Sequence, residues 1–232
     1  MRNMSEPVAV AQRAHRHARA VNASLRVHEA LARAIASTAT LAMADPAAMT
    51  VERARVPIAP VLMARSHPGG PYARQQAHAL YERCLSHYRE LVCAEDGDGG
   101  CDDVGAAAAR FVAANIGALQ GVHATAPMLS QLARQLGAIV RLSPAWAAAS
   151  ARDRQAYVER LAIVSVLVSE CSAAAVVQGP VAIGSVRHAA RGYLQQLLGL
   201  KPELLTLGPD GLRLLAPDAA VGPAPPALCA SA

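Results

Sequence analysis

The sequence predicts an all-α fold, a helical bundle of about five helices to which a small C-terminal β-hairpin could be added. Hydrophobic residues make up 53% of the chain and aromatic residues only 3%, so the core must be built mainly from Ala, Leu and Val. Alanine is the strongest helix former and is depleted from strands. Apolar residues also recur at spacings of three and four, and Gly and Pro divide these stretches into helix-sized lengths.

Composition divides the chain into three parts. Residues 1–70 carry nine arginines and four acidic residues without a sustained apolar stripe, which predicts a basic, disordered leader and linker. Residues 71–215 are predicted to form one helical domain with a single core. Residues 216–232 are rich in Pro and Ala and are predicted to be a disordered tail.

The positive charge lies in the leader. The net charge is +5, yet residues 71–232 contain 13 basic and 13 acidic side chains, so the predicted domain is neutral. A nucleic-acid partner is therefore not predicted for the domain, and any binding of a polyanion would depend on residues 1–70.

The first helix is predicted over about residues 72–93. Its apolar face is formed by residues at helical spacing: Ala77, Tyr81, Cys84, Tyr88 and Leu91. An acidic Gly-rich loop ends it, and Asp102 or Asp103 can cap a second helix over about 103–120, whose apolar face includes Phe111. Gly121 then provides a C-terminal stop.

Two further helices follow. The third begins at Thr125 and Pro127 and ends near Pro144, because proline is favoured in the first turn of a helix and disrupts its interior. A short helical turn holding Trp146 comes next. Ser150 opens the fourth helix, whose wide apolar face predicts a central position in the bundle. Its apolar residues are Tyr157, Leu161, Val164, Val168, Cys171 and Ala175.

The C-terminal part predicts one more helix and a hairpin. Gly179-Pro180 breaks the chain, and a fifth helix runs on to a stop at Gly199. Two Leu-rich segments, 204–207 and 212–215, flank a Pro-Asp-Gly turn and predict two short strands. Two strands alone are marginally stable, so the hairpin would have to dock on the helices.

A membrane span is not predicted, although Leu161 to Val186 contains only one charge, Glu170. The Gly179-Pro180 break falls inside this stretch, and the uninterrupted apolar run is shorter than the ~20 residues that a span needs. A buried bundle helix explains this composition better.

No catalytic residue, cofactor or metal site is predicted. Gly179-x-x-x-x-Gly184-Ser185 has the outline of a phosphate-binding loop, but its lysine and the preceding strand are missing, so a helix break is the better interpretation. His28 is followed by Glu as in a zinc protease motif, but Ala32 stands where the second His is needed.

Other polar residues also favour structural roles. Residues Asp96 to Asp103 resemble a calcium loop, but Ala107 stands where a bidentate Glu is needed, which predicts a solvated loop. Asn115 lies on an apolar stripe and is predicted to be a satisfied hydrogen-bonder between helices. Three histidines sit singly on predicted helix surfaces or ends: His87, His123 and His188.

The five cysteines leave two alternatives. Cys93 and Cys101 bracket the Gly-rich loop, and a disulfide closing it would contribute roughly 2–3 kcal/mol. Cys84 and Cys171 lie on apolar helix faces and could pair across the core. Equally, all five could be thiols in a reducing cytosol.

An export signal is a further hypothesis. Within residues 31–44, the stretch from Ala34 to Ala44 is an uncharged, mildly apolar run that ends in Ala42-Met43-Ala44, a small-x-small cleavage pattern, and basic residues precede it. Counted from Met1 the segment exceeds the usual length, whereas a start at Val27 would shorten it to the ordinary range. The alternatives are a weak Ala-rich helix in a leader or, less well supported, an organelle-targeting peptide.

The region from Tyr81 to Leu214 resembles a family of uncharacterised, mostly proteobacterial proteins known only as a domain of unknown function. Four segments carry the resemblance: Asp103 to Asn115, Asp153 to Leu161, Ala189 to Leu200, and Leu207 to Leu212. The resemblance implies export, since members of that family usually look exported, and it implies no activity.

The functional prediction is a non-enzymatic helical protein of the bacterial cell envelope, periplasmic or secreted, with a binding or structural role. Its ligand is unknown, a protein partner is possible, and no cofactor is expected. One alternative is a cytoplasmic adaptor whose Arg-rich leader binds nucleic acid or anionic lipid. The other is a small enzyme, which would need a deep pocket with convergent polar groups.

Overall fold

The computed structural model describes residue 51, residues 56–96 and residues 102–214. Within these ranges lie seven α-helices, one 3₁₀ turn at Pro202–Leu204 and a two-stranded hairpin. The helices are α1 (Ala59–Arg65), α2 (Pro71–Asp96), α3 (Val104–Gln120), α4 (Ala126–Arg141), α5 (Pro144–Ala148), α6 (Ala151–Gln178) and α7 (Pro180–Leu198). The strands are β1 (Leu205–Gly208) and β2 (Gly211–Leu214). The predicted all-α bundle with a small hairpin is confirmed.

The central helix is α6, as its apolar pattern predicted. Every residue from Gln155 to Val168 is buried. α2, α3 and α7 all pack on α6, and α3 also packs along α4 and α7. α6 has the length and composition of a membrane span, but 56% of its most apolar stretch is buried inside the protein. Packing in the core therefore accounts for its apolar composition.

The predicted helix ends are confirmed where local chemistry sets them. Asp103 accepts a hydrogen bond from the Ala106 N–H at 2.6 Å, which caps α3. Ser150 accepts one from the Asp153 N–H at 3.2 Å and caps α6. Gly121 and Gly199 follow α3 and α7 in the left-handed conformation that glycine adopts without strain.

α3 and α4 approach closely at two glycines. A Cβ atom on Gly105 would lie 2.4 Å from the carbonyl oxygen of Ala133, and one on Gly137 would lie 3.4 Å from the Cα atom of Gly105. Glycine at 105 is therefore required for this helix pair to pack as it does.

The segment before residue 71 differs from the prediction of a linker. α1 packs on α2 and α6, and Met63 enters the core. Glu159 of α6 accepts hydrogen bonds from the N–H groups of Ile58 and Ala59 at 2.7 and 2.8 Å. This distant carboxylate satisfies the first turn of α1, where Ile58 offers no capping side chain. The folded unit therefore begins before residue 71, whereas residues 1–50 and the tail from residue 215 lie outside the described residues.

The hairpin docks on α4 as expected. β1 and β2 pair antiparallel, with Leu207 opposite Leu212. The Gln135 side chain of α4 both donates to the Leu212 carbonyl at 2.9 Å and accepts from the Leu212 N–H at 2.8 Å. Gln120 donates to the Leu205 carbonyl at 2.9 Å. Two glutamine side chains thus replace the neighbouring strand that a two-stranded sheet lacks.

The prediction that Asn115 forms a hydrogen bond between helices is wrong. It is buried, but its Nδ2 donates to the Phe111 carbonyl at 2.7 Å within α3, rather than to another helix. Its Oδ1 has no hydrogen-bond partner among the described residues. The apolar stripe on which it lies packs against α7, where Phe111 meets Tyr193 edge to face at 6.3 Å between ring centroids.

Candidate functional site

An open groove runs between α2, α3, α6 and α7, and the connection from α3 to α4 forms one of its edges. Its volume is about 610 Å³. This size falls within the range of pockets that bind small molecules. We refer to it below as the groove.

Two rows of small residues make room for the groove. Ala113, Gly117 and Gly121 line the α3 side, and Ser165, Ser169 and Ala173 line the α6 side. Residues four apart lie one above the other on the same helix face. The side chains in these two rows are small, and they leave a trough between the two helices.

Larger apolar side chains complete the lining. They are Leu91, Val122, Leu129, Val166, Val176, Ile183 and Val186. Val166 and Val186 are buried and form the floor, whereas Leu91 and Val176 are 42% and 73% exposed. The apolar lining thus continues from the buried floor to the solvent-exposed edge of the groove.

The charged residues of the groove are mainly basic. Arg110 and Arg187 contribute two positive charges, and Glu170 contributes one negative charge. His87 and His123 also line the groove. His87 Nδ1 lies 3.5 Å from Glu170 Oε1, and both side chains are about half exposed. With neutral histidines the groove is still net positive, which favours an anionic group of a ligand.

Two of the serines in the groove are engaged by the backbone of α6. Ser165 donates to the Ala162 carbonyl at 2.8 Å, and Ser172 donates to the Val168 carbonyl at 2.8 Å. A serine nucleophile instead requires a hydrogen bond from its hydroxyl to a general base. These two hydroxyls therefore have a structural role within α6.

The sequence pattern of a family of unknown function, DUF6683, matches residues 7–215. The chain belongs to this family. The match includes residues of the segment predicted as leader and linker, so the DUF6683 pattern extends well beyond the region from Tyr81 that carried the resemblance. Neither the comparison with curated proteins nor that with solved structures returned a match.

The structure describes only one of the two cysteine pairs that were considered for this DUF6683 member. Cys84 and Cys171 are buried on α2 and α6 and are present as thiols, not as a disulfide. The side chain of Cys93 and all of Cys101 lie outside the described residues, as does Cys229. The proposed loop-closing disulfide therefore stays a prediction.

Cys84 and Cys171 belong to a buried group with Tyr81 and Tyr193, which we call the thiol–tyrosine cluster. Burial, together with the neighbouring Cys171, raises the pKa of Cys84 from 9.0 to about 11. Burial also raises the pKa of Cys171 to about 11 and that of Tyr81 to about 12, and it raises the pKa of Tyr193 well above 10.0. At neutral pH the cluster is uncharged, and thiols of this kind are poor nucleophiles.

Tyr157 and Arg160 form a second buried polar pair on α6. The Tyr157 hydroxyl and the Arg160 Nη1 have no hydrogen-bond partner among the described residues. Burial lowers the pKa of Arg160 from its ordinary value to about 10, and burial raises the pKa of Tyr157. The Tyr157 ring packs edge to face on Trp146 at 5.9 Å, so this pair belongs to the core beneath α5 rather than to the groove.

The groove was not predicted from the sequence, although His87 and His123 were noted as surface histidines. His188 is exposed on α7 and does not line the groove. Across the described ranges, no three His, Cys, Asp or Glu side chains converge so as to hold a metal ion. The groove thus combines apolar side chains with two arginines, so its lining can contact an apolar chain and pair an acidic group.

Proposed function

We propose that the protein is a non-enzymatic binding protein of the bacterial cell envelope, and that the groove binds an amphipathic anion. Such a ligand consists of an unbranched apolar chain with one acidic head group, as in a fatty acid. The single observation that carries the proposal is a groove of about 610 Å³ with apolar walls and net basic charge.

The walls favour an unbranched chain. The two rows of small residues form a trough that is open to solvent, and an alkyl chain can lie along it. Contact with Val166, Ile183 and Val186 would remove its methylene groups from water. Each buried methylene contributes roughly 0.8 kcal/mol, so a chain of several methylenes gains a useful affinity.

The basic residues favour an acidic head group. Arg187 is exposed on α7 next to Val186 of the floor, so its guanidinium can pair with a carboxylate while the chain lies inside. Arginine binds carboxylates through two parallel hydrogen bonds. The opposite arrangement, a cationic head group, would face two arginines and a single glutamate.

A fluorescence titration with a dansyl-labelled fatty acid tests this proposal. Ala173 is exposed in the groove wall, so Ala173→Leu should fill the trough and abolish saturable binding. Ala148→Leu, an exposed alanine on α5, is the matched control and should bind like the wild type. Equal binding by both variants would show that the groove is not the binding site.

Charge is tested with the same probe. Arg187→Glu should weaken binding roughly threefold to tenfold, whereas Arg152→Glu, an exposed arginine at the start of α6, should leave it unchanged. The uncharged methyl ester of the probe should bind both variants equally. If Arg187→Glu binds the acid and the ester alike with wild-type affinity, the head-group assignment is wrong.

The His87–Glu170 pair favours a second candidate function, a hydrolase acting on an ester of the same kind of chain. A histidine held by a carboxylate is the usual form of a general base. Turnover of a p-nitrophenyl fatty ester that His87→Ala abolishes would support it. Binding without turnover, unaffected by His87→Ala, supports the non-enzymatic function.

The envelope location rests on residues 31–44, which lie outside the described residues. Intact mass of the protein from fractionated native cells tests it. A periplasmic or secreted chain that begins at Asp45 and gains about two mass units on reduction would support export and the pairing of Cys93 with Cys101. A chain that begins at Met1 with all thiols reduced, and whose binding to DNA weakens steeply with salt, would instead support the cytoplasmic adaptor.

A further inference from the structure

The connection between α6 and α7 presents three valines to solvent. Val176, Val177 and Val181 are 73%, 87% and 84% exposed. We call these three residues the valine corner. Single exposed apolar residues are ordinary on protein surfaces, but three within six positions on one helix corner form a local apolar patch.

The three exposed valines lie at a hydrogen-bonded turn between two helices. Gly179 adopts φ +97°, its N–H donates to the Ala175 carbonyl at 3.0 Å, and its carbonyl accepts from the Ile183 N–H at 3.1 Å. Pro180 then starts α7. Both helix ends are therefore hydrogen-bonded, and the valines project from a fixed turn.

The valine corner lies within an uncharged stretch of chain. Residues 171–186 contain no charged side chain, and the stretch is flanked by Glu170 and Arg187. Transfer of a charged group into a bilayer is costly, so a helix corner formed by an uncharged, apolar stretch of chain suits contact with lipid. The exposed Arg187 can then face anionic head groups.

The valine corner is continuous with the groove. Val176 lines the groove, and Ile183, two residues beyond Val181, lines it as well. The groove therefore opens beside the exposed tip. An amphipathic ligand of the class proposed above resides in membranes, and this end of the groove would face the surface that supplies it.

We infer that the valine corner inserts into the interface of a lipid bilayer, so that the groove opens onto the membrane. A deformable bilayer accepts a projecting corner, whereas a protein partner would need a hollow of matching shape. The contact is peripheral, because α6 itself is committed to the core. The link to the groove rests on the proposed function, whereas the membrane contact itself does not.

The first test is a fluorescent reporter at the tip of the full-length protein. The chain contains one tryptophan, Trp146, which is buried, so Val177→Trp adds a single exposed indole. Vesicles of phosphatidylcholine and phosphatidylglycerol should shift its emission to the blue, and brominated lipids should quench it. Leu142→Trp, at an exposed position following α4, is the control that should not respond. Unchanged emission of Val177→Trp at saturating lipid overturns the inference.

The second test is co-sedimentation with the same vesicles. The double variant Val177→Asp with Val181→Asp should partition about tenfold more weakly than the wild type or more, while Leu142→Asp should match the wild type. Equal partition of all three proteins, or no binding by any, overturns the inference. In a titration without vesicles the double variant should still bind the dansyl fatty acid, so loss of the membrane contact and failure of the groove are separate results.

Discussion

At the level of single residues, Glu159 holds the first part of the domain together. Its carboxylate is buried and serves both α1, through the Ile58 and Ala59 N–H groups, and α6, through the Gln155 side chain at 2.8 Å. Arg89 Nη2 of α2 lies 3.5 Å from Glu159 Oε1, the oxygen that also accepts from Gln155. One side chain thus joins three helices.

Glu159→Ala should therefore lower the free energy of unfolding by roughly 2–4 kcal/mol, because it leaves two backbone N–H groups without an acceptor. Hydrogen exchange should accelerate at Ile58 and Ala59 more than elsewhere, since α1 can undock alone. Glu90→Ala, an exposed glutamate on α2, should stay within about 0.5 kcal/mol of the wild type. Unchanged exchange in α1 would show that packing, not Glu159, holds this helix.

The thiol–tyrosine cluster predicts a loss of stability at alkaline pH. Its folded-state pKa values are raised, to about 11 for Cys84 and about 12 for Tyr81, from ordinary values of 9.0 and 10.0. The stabilisation is fully present below pH 9 and is lost as the pH rises through 11 and 12, since the unfolded chain ionises first.

Denaturant unfolding under reducing conditions at several pH values measures this effect. The free energy of unfolding should fall above pH 9 in the wild type. It should fall less steeply in a double variant, Cys84→Ala with Cys171→Ala, which lacks two of the titrating groups. Parallel curves for the two proteins would exclude the thiols as the cause.

At the level of elements, the two glycines between α3 and α4 set how closely these helices pack. Gly105→Ala should lower the free energy of unfolding by roughly 1–3 kcal/mol, because its Cβ would clash with the backbone of Ala133. Gly184→Ala is the matched control on α7. Nothing lies within 4 Å of a Cβ there, so it should raise stability by roughly 0.5–1 kcal/mol. Thermal unfolding of both variants measures this, and a stable Gly105→Ala protein would contradict the packing.

The elements that the sequence predicted well are those with local signals. Asp103, Ser150 and Gly179-Pro180 act within their own turn of chain, so spacing and residue type were enough to place the ends of α3, α6 and α7. α1 was missed because its first turn is satisfied by Glu159, about a hundred residues away in sequence. Its three neighbouring prolines, Pro57, Pro60 and Pro68, suggested a linker instead.

At the level of the whole molecule, the groove was beyond sequence analysis because four helices form it. The small residues of its walls, such as Gly117 and Ala173, looked like ordinary positions of Ala-rich helices. His87 and Glu170 are far apart in sequence and meet only when α2 packs beside α6. One signal was available: rows of small residues four apart on two neighbouring helices indicate a place where side-chain bulk is missing.

The groove and the valine corner give one face of the molecule a common chemistry. The groove offers an apolar interior with basic residues, and the valine corner offers an apolar tip at its end. A ligand and a surface would therefore meet the protein on the same side.

Photolabelling with a diazirine-bearing palmitate, followed by mass-spectrometric mapping of the labelled peptides, tests the ligand site most directly. We expect labels on the α3 wall around Ala113 to Gly121 and on the α6 wall around Ser165 to Val176, and their loss when unlabelled palmitate competes. Labels spread over exposed apolar residues elsewhere, such as Tyr72 and Leu142, and insensitive to competition, would contradict the proposal that the groove is the binding site.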